Sequence, residues 1–156
     1  MNSGSRRSLA FEYVTEANCL VLYQTSESPS DAEWDAYLEL LRFVQDSNAD
    51  FRVFVQTEGG RPTPPQQARL AQLCSGTGWG TAVVSTALAV RFVVSSLSLT
   101  KQNLRYFTPD ELAQAYAHLE LDESAQQSIE RTLERFRAEL RAATRTSVRP
   151  PSTRPS

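Results

Sequence analysis

Residues 51–66, FRVFVQTEGGRPTPPQ, contain a strand, a turn and the start of a helix in one short stretch. The nearly unbroken apolar centre of Phe51–Thr57 predicts a strand that is covered on both faces of its sheet. Gly59-Gly60 predicts a turn, and Thr63 then stands at a cap position, with proline at the first helical position and glutamine at the third. Because the sheets of α/β folds are built from strands that are joined by helices, this stretch predicts an α/β fold.

Towards the N-terminus, two β-prone runs, Phe11–Val14 and Cys19–Tyr23, are separated by a polar link of hairpin length. They predict an antiparallel pair at the start of the fold. The run Ser30-Asp31-Ala32-Glu33 is a capping box, in which serine and glutamate side chains satisfy free backbone amides at a helix start. Apolar residues then recur at helical spacing and predict one buried face, formed by Trp34, Tyr37, Leu38, Leu41 and Val44.

Towards the C-terminus, the helix that starts after Thr63 is expected to run through Ala68, Leu70, Ala71, Leu73 and Cys74. Thr81–Val84 predicts the next strand. Ser85 and Thr86 are placed to cap a third, mostly buried helix from about Ala87 to Leu97.

The last strand is predicted at Leu104–Phe107, and a second capping box, Thr108–Glu111, predicts a fourth helix after it. The inward residues of that helix are expected to be Leu112, Ala115, Tyr116 and Leu119. A fifth helix from about Glu123 carries an apolar stripe, which consists of Ile129, Leu133, Phe136 and Leu140.

The predicted order is ββαβαβαβα with an extra C-terminal helix. It indicates an α/β fold with a mixed, mostly parallel five-stranded sheet, in which the first strand is an antiparallel edge. A chain of 156 residues is long enough to form one hydrophobic core and too short to form a second. We therefore expect a single domain over residues 9–143, a disordered N-terminus over 1–8, and a disordered Arg-, Pro- and Ser-rich tail over 144–156.

The net charge of −2 is distributed unevenly, because several arginines lie in the terminal segments and leave an acidic body between them. An acidic body argues against a nucleic-acid partner. The longest apolar stretch, Thr81–Leu99, is interrupted by Arg91 and several serines, so no membrane span is expected. The N-terminus lacks the apolar run of a secretory signal, which favours a cytoplasmic location.

The residue types needed for common catalytic sites are sparse. Cys19 and Cys74 lie in apolar surroundings without a second cysteine at metal or redox spacing, and His118 is the single histidine. The glycines of 76–80 precede a strand, whereas a nucleotide fingerprint follows one, and Gly59-Gly60 lacks the Gly-Lys-Ser/Thr ending of a phosphate loop. We therefore expect no metal or other cofactor and no enzymatic activity.

The element order over Phe11–Leu121, together with the runs Ala82–Arg91, Val93–Leu97 and Arg105–Leu112, resembles the STAS family, the SpoIIAA-like fold of bacterial anti-sigma-factor antagonists, and its STAS-like members in GC-rich bacteria. The resemblance implies a regulatory module that binds a partner protein. It also implies possible phosphorylation of a hydroxyl at the start of the helix after the third strand, where Thr63 stands. The family has an acidic residue after this strand and an Asp-Ser-Ser-Gly-type run. Here they are replaced by Thr57-Glu58-Gly59-Gly60 and Thr63-Pro64-Pro65.

The expected contact surface lies at the carboxyl edge of the sheet and includes the second helix and seven named residues, Thr57, Gly59, Gly60, Arg61, Thr63, Ser85 and Thr86. Two alternatives stay open. One is a small-ligand or lipid-binding domain with a site between helix and sheet. The other is a structural or oligomeric component, such as a homodimer, that uses the stripe of the fifth helix as its interface.

Overall fold

The computed structural model describes residues 7–48, 50–75, 77–99 and 103–148, with side chains described up to 143. The strands are β1 Leu9–Val14, β2 Cys19–Gln24, β3 Arg52–Thr57, β4 Thr81–Val84 and β5 Leu104–Phe107. The α-helices are α1 Asp31–Ser47, α2 Pro64–Cys74, α3 Leu88–Leu97, α4 Leu112–His118 and α5 Glu123–Val148. Two short 3-10 helices, Thr15–Ala17 and Pro109–Glu111, join β1 to β2 and precede α4.

The five strands lie in the sheet in their order along the chain, β1-β2-β3-β4-β5. β1 pairs with β2 in antiparallel fashion, whereas the pairs β2–β3, β3–β4 and β4–β5 are parallel. The predicted fold class, a mixed, mostly parallel five-stranded sheet with the antiparallel strand at one edge, is confirmed.

Helices cover both faces of the sheet but are sorted by their position in the chain. α1, α2 and α3 pack on the face that carries Leu20, Val53 and Val83. α4 and α5 pack on the opposite face, which carries Val21, Phe54 and Ala82. Because the strand order does not reverse within the parallel part, the crevice at which doubly wound sheets bind ligands does not form here.

The predicted starts of α1 and α2 are confirmed as capping boxes. Ser30 accepts a hydrogen bond from the Glu33 amide at 3.1 Å, and Thr63 caps α2 in the same way. The inward face of α1 is also as predicted, with its five apolar residues buried. α2 runs through Ala68, Leu70, Ala71, Leu73 and Cys74 as predicted, with Ala68 exposed and the polar Gln66 almost completely buried.

α3 differs most from its prediction. It begins at Leu88 after an N-cap, Ala87, that has no capping side chain, and only Val90 and Val94 are buried. Leu88 and Phe92 are 63% and 66% exposed. The exposed side of the helix also carries the polar residues Arg91, Ser95 and Ser96. α3 packs against β5 at the end of the helix layer, and its outer side faces solvent.

The apolar stripe of α5 is buried in the chain's own core against β1 and β2, so it does not provide an oligomer interface. The described fold also extends beyond the predicted domain limits. Ser8 is buried and bonded to Glu33, and α5 continues to Val148. The remainder of the two segments predicted to be disordered, 1–6 and 149–156, lies outside the described residues.

Candidate functional site

The carboxyl edge of the sheet is formed by the ends of β2 to β5 and the turns that follow them. The turn after β3 packs tightly on the turn after β2, because the Gly60 amide donates a 2.9 Å hydrogen bond to Thr25 O. A Cβ at Gly60 would lie 2.2 Å from Glu27 O and 2.4 Å from Thr25 O. Only glycine allows this approach, so Gly60 has a role in folding rather than in partner contact.

Thr57 is also buried within the turn. Its hydroxyl donates a 2.7 Å hydrogen bond to Gly60 O and accepts one of 3.1 Å from the Gly59 amide. Gly59 has a φ of 137°, which favours glycine, and a Cβ there would lie 3.8 Å from the Ala87 side chain. Gly59 therefore lies close to Ala87, in the segment that follows β4.

Ser85 is buried as well and organises the start of α3. Its Oγ accepts a 3.1 Å hydrogen bond from the Ala87 amide, and its amide donates to Phe107 O at 3.0 Å. The Tyr106 hydroxyl donates to Ser85 O at 2.5 Å. Ser85 was expected on the contact surface, but its polar groups are occupied inside the fold. Thr86, its neighbour, is exposed.

The seven predicted site residues therefore converge on one edge but differ in accessibility. Thr57, Gly60 and Ser85 are buried, and Gly59 and Thr63 are half-buried. Arg61 and Thr86 are exposed, which leaves these two as the predicted residues best placed to contact another molecule.

At the start of α2, few backbone amides are available to bind a phosphate on Thr63. The Gln66 amide donates to Thr63 Oγ1 at 3.4 Å, and the Gln67 amide donates to Thr63 O. Pro64 and Pro65 have no backbone N–H. The free amides that would bind a phosphate at a helix N-terminus are thus missing from this first turn.

Exposed apolar residues next to this edge were not among the predicted site residues. Leu88 and Phe92 lie one helical turn apart on α3, with the exposed Arg91 beside them. We call these three residues the α3 face. The basic character of this part of the chain is visible in the sequence, because residues 59–109 contain no Asp or Glu but do contain five cations, Arg61, Arg69, Arg91, Lys101 and Arg105.

A cavity of about 90 Å³ lies beneath this region, between the sheet and helices α1, α2 and α3. Its walls are almost entirely apolar. Among the described residues that line it, Arg61 is the only charged one and the only exposed one. Thr81 lines the cavity at the start of β4, where it is buried and its Oγ1 has no hydrogen-bond partner among the described residues.

Tyr23 and Glu58 form a polar contact on the other face of the same edge. The Tyr23 hydroxyl donates a hydrogen bond to Glu58 Oε2. Burial and the neighbouring Glu58 carboxylate raise the pKa of Tyr23 from 10.0 to about 12. A phenol held in its neutral form at neutral pH is a structural donor here and not a base.

Two other titratable groups, Cys19 and His118, are buried or in contact with a backbone oxygen. Burial raises the pKa of the Cys19 thiol to about 12, which makes it unreactive at neutral pH. His118 Nε2 lies 2.8 Å from Asn103 O. Within the described residues, no cluster of three or more His, Cys, Asp or Glu side chains has the geometry of a metal site.

No helix in the described part of the chain combines the length and the hydropathy needed to cross a membrane. Comparisons with protein-family models, with curated proteins and with solved structures gave no match.

Proposed function

We propose that this chain is a non-enzymatic, STAS-like interaction module that binds a partner protein through the α3 face and the adjoining carboxyl edge. The observation that carries the proposal is the exposure of Leu88 and Phe92 on a helix that starts at this edge. Exposed aromatic and aliphatic residues that lie together, flanked by polar groups, are typical of protein contact sites. The element order and the strand pairing of the sheet agree with the STAS-like expectation.

The charges around the α3 face indicate the chemistry of the partner. Arg91 lies beside Phe92, and Arg61 is exposed at the same edge. Neither cation has an ion-pair partner among the described side chains. We infer a partner surface with apolar side chains inside an acidic rim, such as one face of an acidic amphipathic helix.

The buried hydroxyls of Thr57 and Ser85 favour a rigid binding surface in such a module. Thr57 and Ser85 hold the two turns in place, so the edge is preorganised before a partner arrives. A rigid surface loses little conformational entropy on binding. Phosphorylation of Thr63 is not part of this proposal, because the first turn of α2 lacks free amides to bind the phosphate.

The chain offers a matched control for a test. Phe43 on α1 is 67% exposed, as much as Phe92, but lies outside the α3 face. We expect affinity purification from the source cells with wild type and Phe43→Ser to enrich a common protein that Phe92→Ser and Arg91→Glu lose. Recovery of the same proteins at the same levels with all four baits would refute the proposal.

A further inference from the structure

The strand β1 forms an open edge of the sheet. It pairs with β2 on one side, and no strand in the described part of the chain pairs with its other side. In an antiparallel pair, the backbone groups of alternate residues point to the neighbouring strand. The Thr25 amide donates to Ser8 O, so every second residue from Ser8 onward points to β2. The backbone groups of Leu9, Phe11 and Tyr13 therefore point away from the sheet.

This edge lacks features that keep edge strands from pairing with other chains. Natural edge strands are commonly short, kinked by a bulge, or interrupted by proline or lysine. β1 has six residues without proline or lysine, and its register with β2 is unbroken. The other edge strand, β5, has four residues and carries Arg105. On β1, Glu33 covers only the start of the edge, where its carboxylate accepts a 3.3 Å hydrogen bond from the Leu9 amide.

Four charged side chains form a row over β1, in which negative and positive charges alternate. The Glu12 carboxylate lies 2.9 Å from the guanidinium of Arg135 on α5, which lies 3.9 Å from the Glu139 carboxylate. Glu139 in turn lies 3.5 Å from the Arg7 guanidinium. All four side chains are between 39% and 48% exposed. We call these residues, in the order Glu12, Arg135, Glu139 and Arg7, the edge charge row.

The edge charge row is complementary to a reversed copy of itself. Its order is negative, positive, negative, positive, and the two ends have opposite signs. A two-fold axis reverses the order in a second copy, so each charge then meets the opposite sign. Two-fold contacts, in which the same surface is used twice, are the commonest in homo-oligomers. Complementary charges of this kind select a partner and its orientation.

We propose that this edge binds a second copy of the chain, and that the two β1 strands pair in antiparallel fashion about a two-fold axis at Phe11. The two sheets then form one continuous sheet. The outward backbone groups of Phe11 bond to those of Phe11 of the partner subunit, and the Tyr13 amide donates to the carbonyl oxygen of Leu9 of the partner subunit. An axis at Glu12 would instead place two glutamates directly opposite each other, which is unfavourable.

Charge swaps test the contact and keep the ion pairs within each copy. Glu12→Arg/Arg135→Glu changes the edge charge row to positive, negative, negative, positive, so a two-fold axis brings like charges together. Arg7→Glu/Glu139→Arg changes it to negative, positive, positive, negative, with the same consequence. We expect the full-length wild type to form a dimer at micromolar to sub-millimolar concentrations in sedimentation equilibrium. Each swap should raise the dissociation constant at least tenfold.

The two swapped proteins should restore dimerisation when they are mixed. Their rows are complementary to each other, so a heterodimer of about wild-type affinity is expected. A protein with all four substitutions has an alternating row again and should form a dimer by itself. Both results separate a contact between copies from damage to folding, which circular dichroism checks in each variant.

A disulfide locates the axis. The Cα atoms of a hydrogen-bonded antiparallel pair are about 5.5 Å apart, which suits a disulfide. Phe11→Cys should therefore give a covalent dimer on mild oxidation, whereas Phe43→Cys, at an exposed position on α1, should not. The native Cys19 and Cys74 are buried and do not compete.

A wild-type protein that stays monomeric over this concentration range would overturn the proposal. A dimer that neither swap weakens would do so as well, since the copies would then meet elsewhere, and so would swapped proteins that stay monomeric when mixed. Phe92→Ser should dimerise like the wild type, because α3 packs against β5, the other edge strand. A loss of partner binding in that variant without a loss of dimer keeps the failure of one proposal distinct from that of the other.

Discussion

The side-chain amide of Gln66 donates a 2.9 Å hydrogen bond to Asp31 Oδ1 and thereby joins the first turns of α2 and α1. The same nitrogen donates to Pro29 O at 3.0 Å, and the indole of Trp34 donates to Gln66 O at 3.0 Å. Gln66 is 1% exposed. A polar residue at the centre of this contact fixes how α2 sits beside α1, and with it the turn that leads from β3 to the carboxyl edge.

Replacement of Gln66 tests this junction. Gln66→Leu leaves Pro29 O and Asp31 without their donor, so we expect the free energy of unfolding to fall by about 2 kcal/mol. Urea denaturation followed by circular dichroism measures the change. Gln72→Leu, an exposed position on the same helix, should change stability by less than about 0.5 kcal/mol. Equal effects of the two substitutions would show that the junction does not stabilise the fold.

The packing of the two turns predicts a strict requirement at Gly60. In Gly60→Ala the new methyl group would meet two carbonyl oxygens, so the turn must shift, and we expect a loss of about 1–3 kcal/mol of unfolding free energy. Gly78→Ala is the control, because a Cβ there has no atom within 4 Å. Thermal melts of both variants should show a lower Tm for Gly60→Ala alone. A wild-type Tm for Gly60→Ala would mean that the turn adapts freely.

The unpartnered hydroxyl of Thr81 predicts a stabilising substitution. Thr81→Val keeps the shape of the side chain and removes a buried polar group that has no partner among the described residues, so the free energy of unfolding should rise by about 1 kcal/mol. Thr132→Val removes a hydroxyl that is equally buried but donates to Ser128 O at 2.9 Å, and should not stabilise. Parallel urea titrations compare the two. A stability loss in Thr81→Val would indicate that its hydroxyl is satisfied within the fold.

Much of the fold follows from local chemistry in the sequence. The capping box at Ser30, and the cap position of Thr63 with its following proline and glutamine, predicted two helix starts to the residue, and β4 and β5 lie at the predicted residues. These features depend on side chains within a few positions of each other, so the sequence displays them directly. The buried face of α1 was predictable for the same reason, since helical spacing alone determines it.

The accessibility of the edge could not be predicted in this way. Ser85 and Thr57 are polar residues in turns, which usually face solvent, yet their hydroxyls are used by backbone groups inside the fold. The exposure of Phe92 depends on which elements surround α3 in space. Hydropathy along the chain contains no information on that neighbourhood, so a helix with apolar residues on more than one side was predicted as mostly buried.

Alkaline pH should destabilise the domain through Tyr23. Burial and then Glu58 raise its folded-state pKa to about 12, against 10.0 for the unperturbed group. The fold favours the neutral phenol, so this contribution is fully present below pH 10 and is lost as the pH rises from 10 to 12. Tyr23→Phe should therefore lose less stability than wild type over that range in urea denaturation. An identical pH dependence of the two proteins would contradict this account of Tyr23.

The most direct test of the interaction module is covalent capture from the α3 face in the source cells. A photo-crosslinking amino acid is introduced in place of Phe92 in one protein and in place of Phe43 in another, two positions of nearly equal exposure. After irradiation and mass spectrometry, the account predicts a defined protein adduct from position 92, with an acidic and apolar crosslinked segment, that position 43 does not give. No adduct from position 92, or the same adducts from both positions, would contradict it.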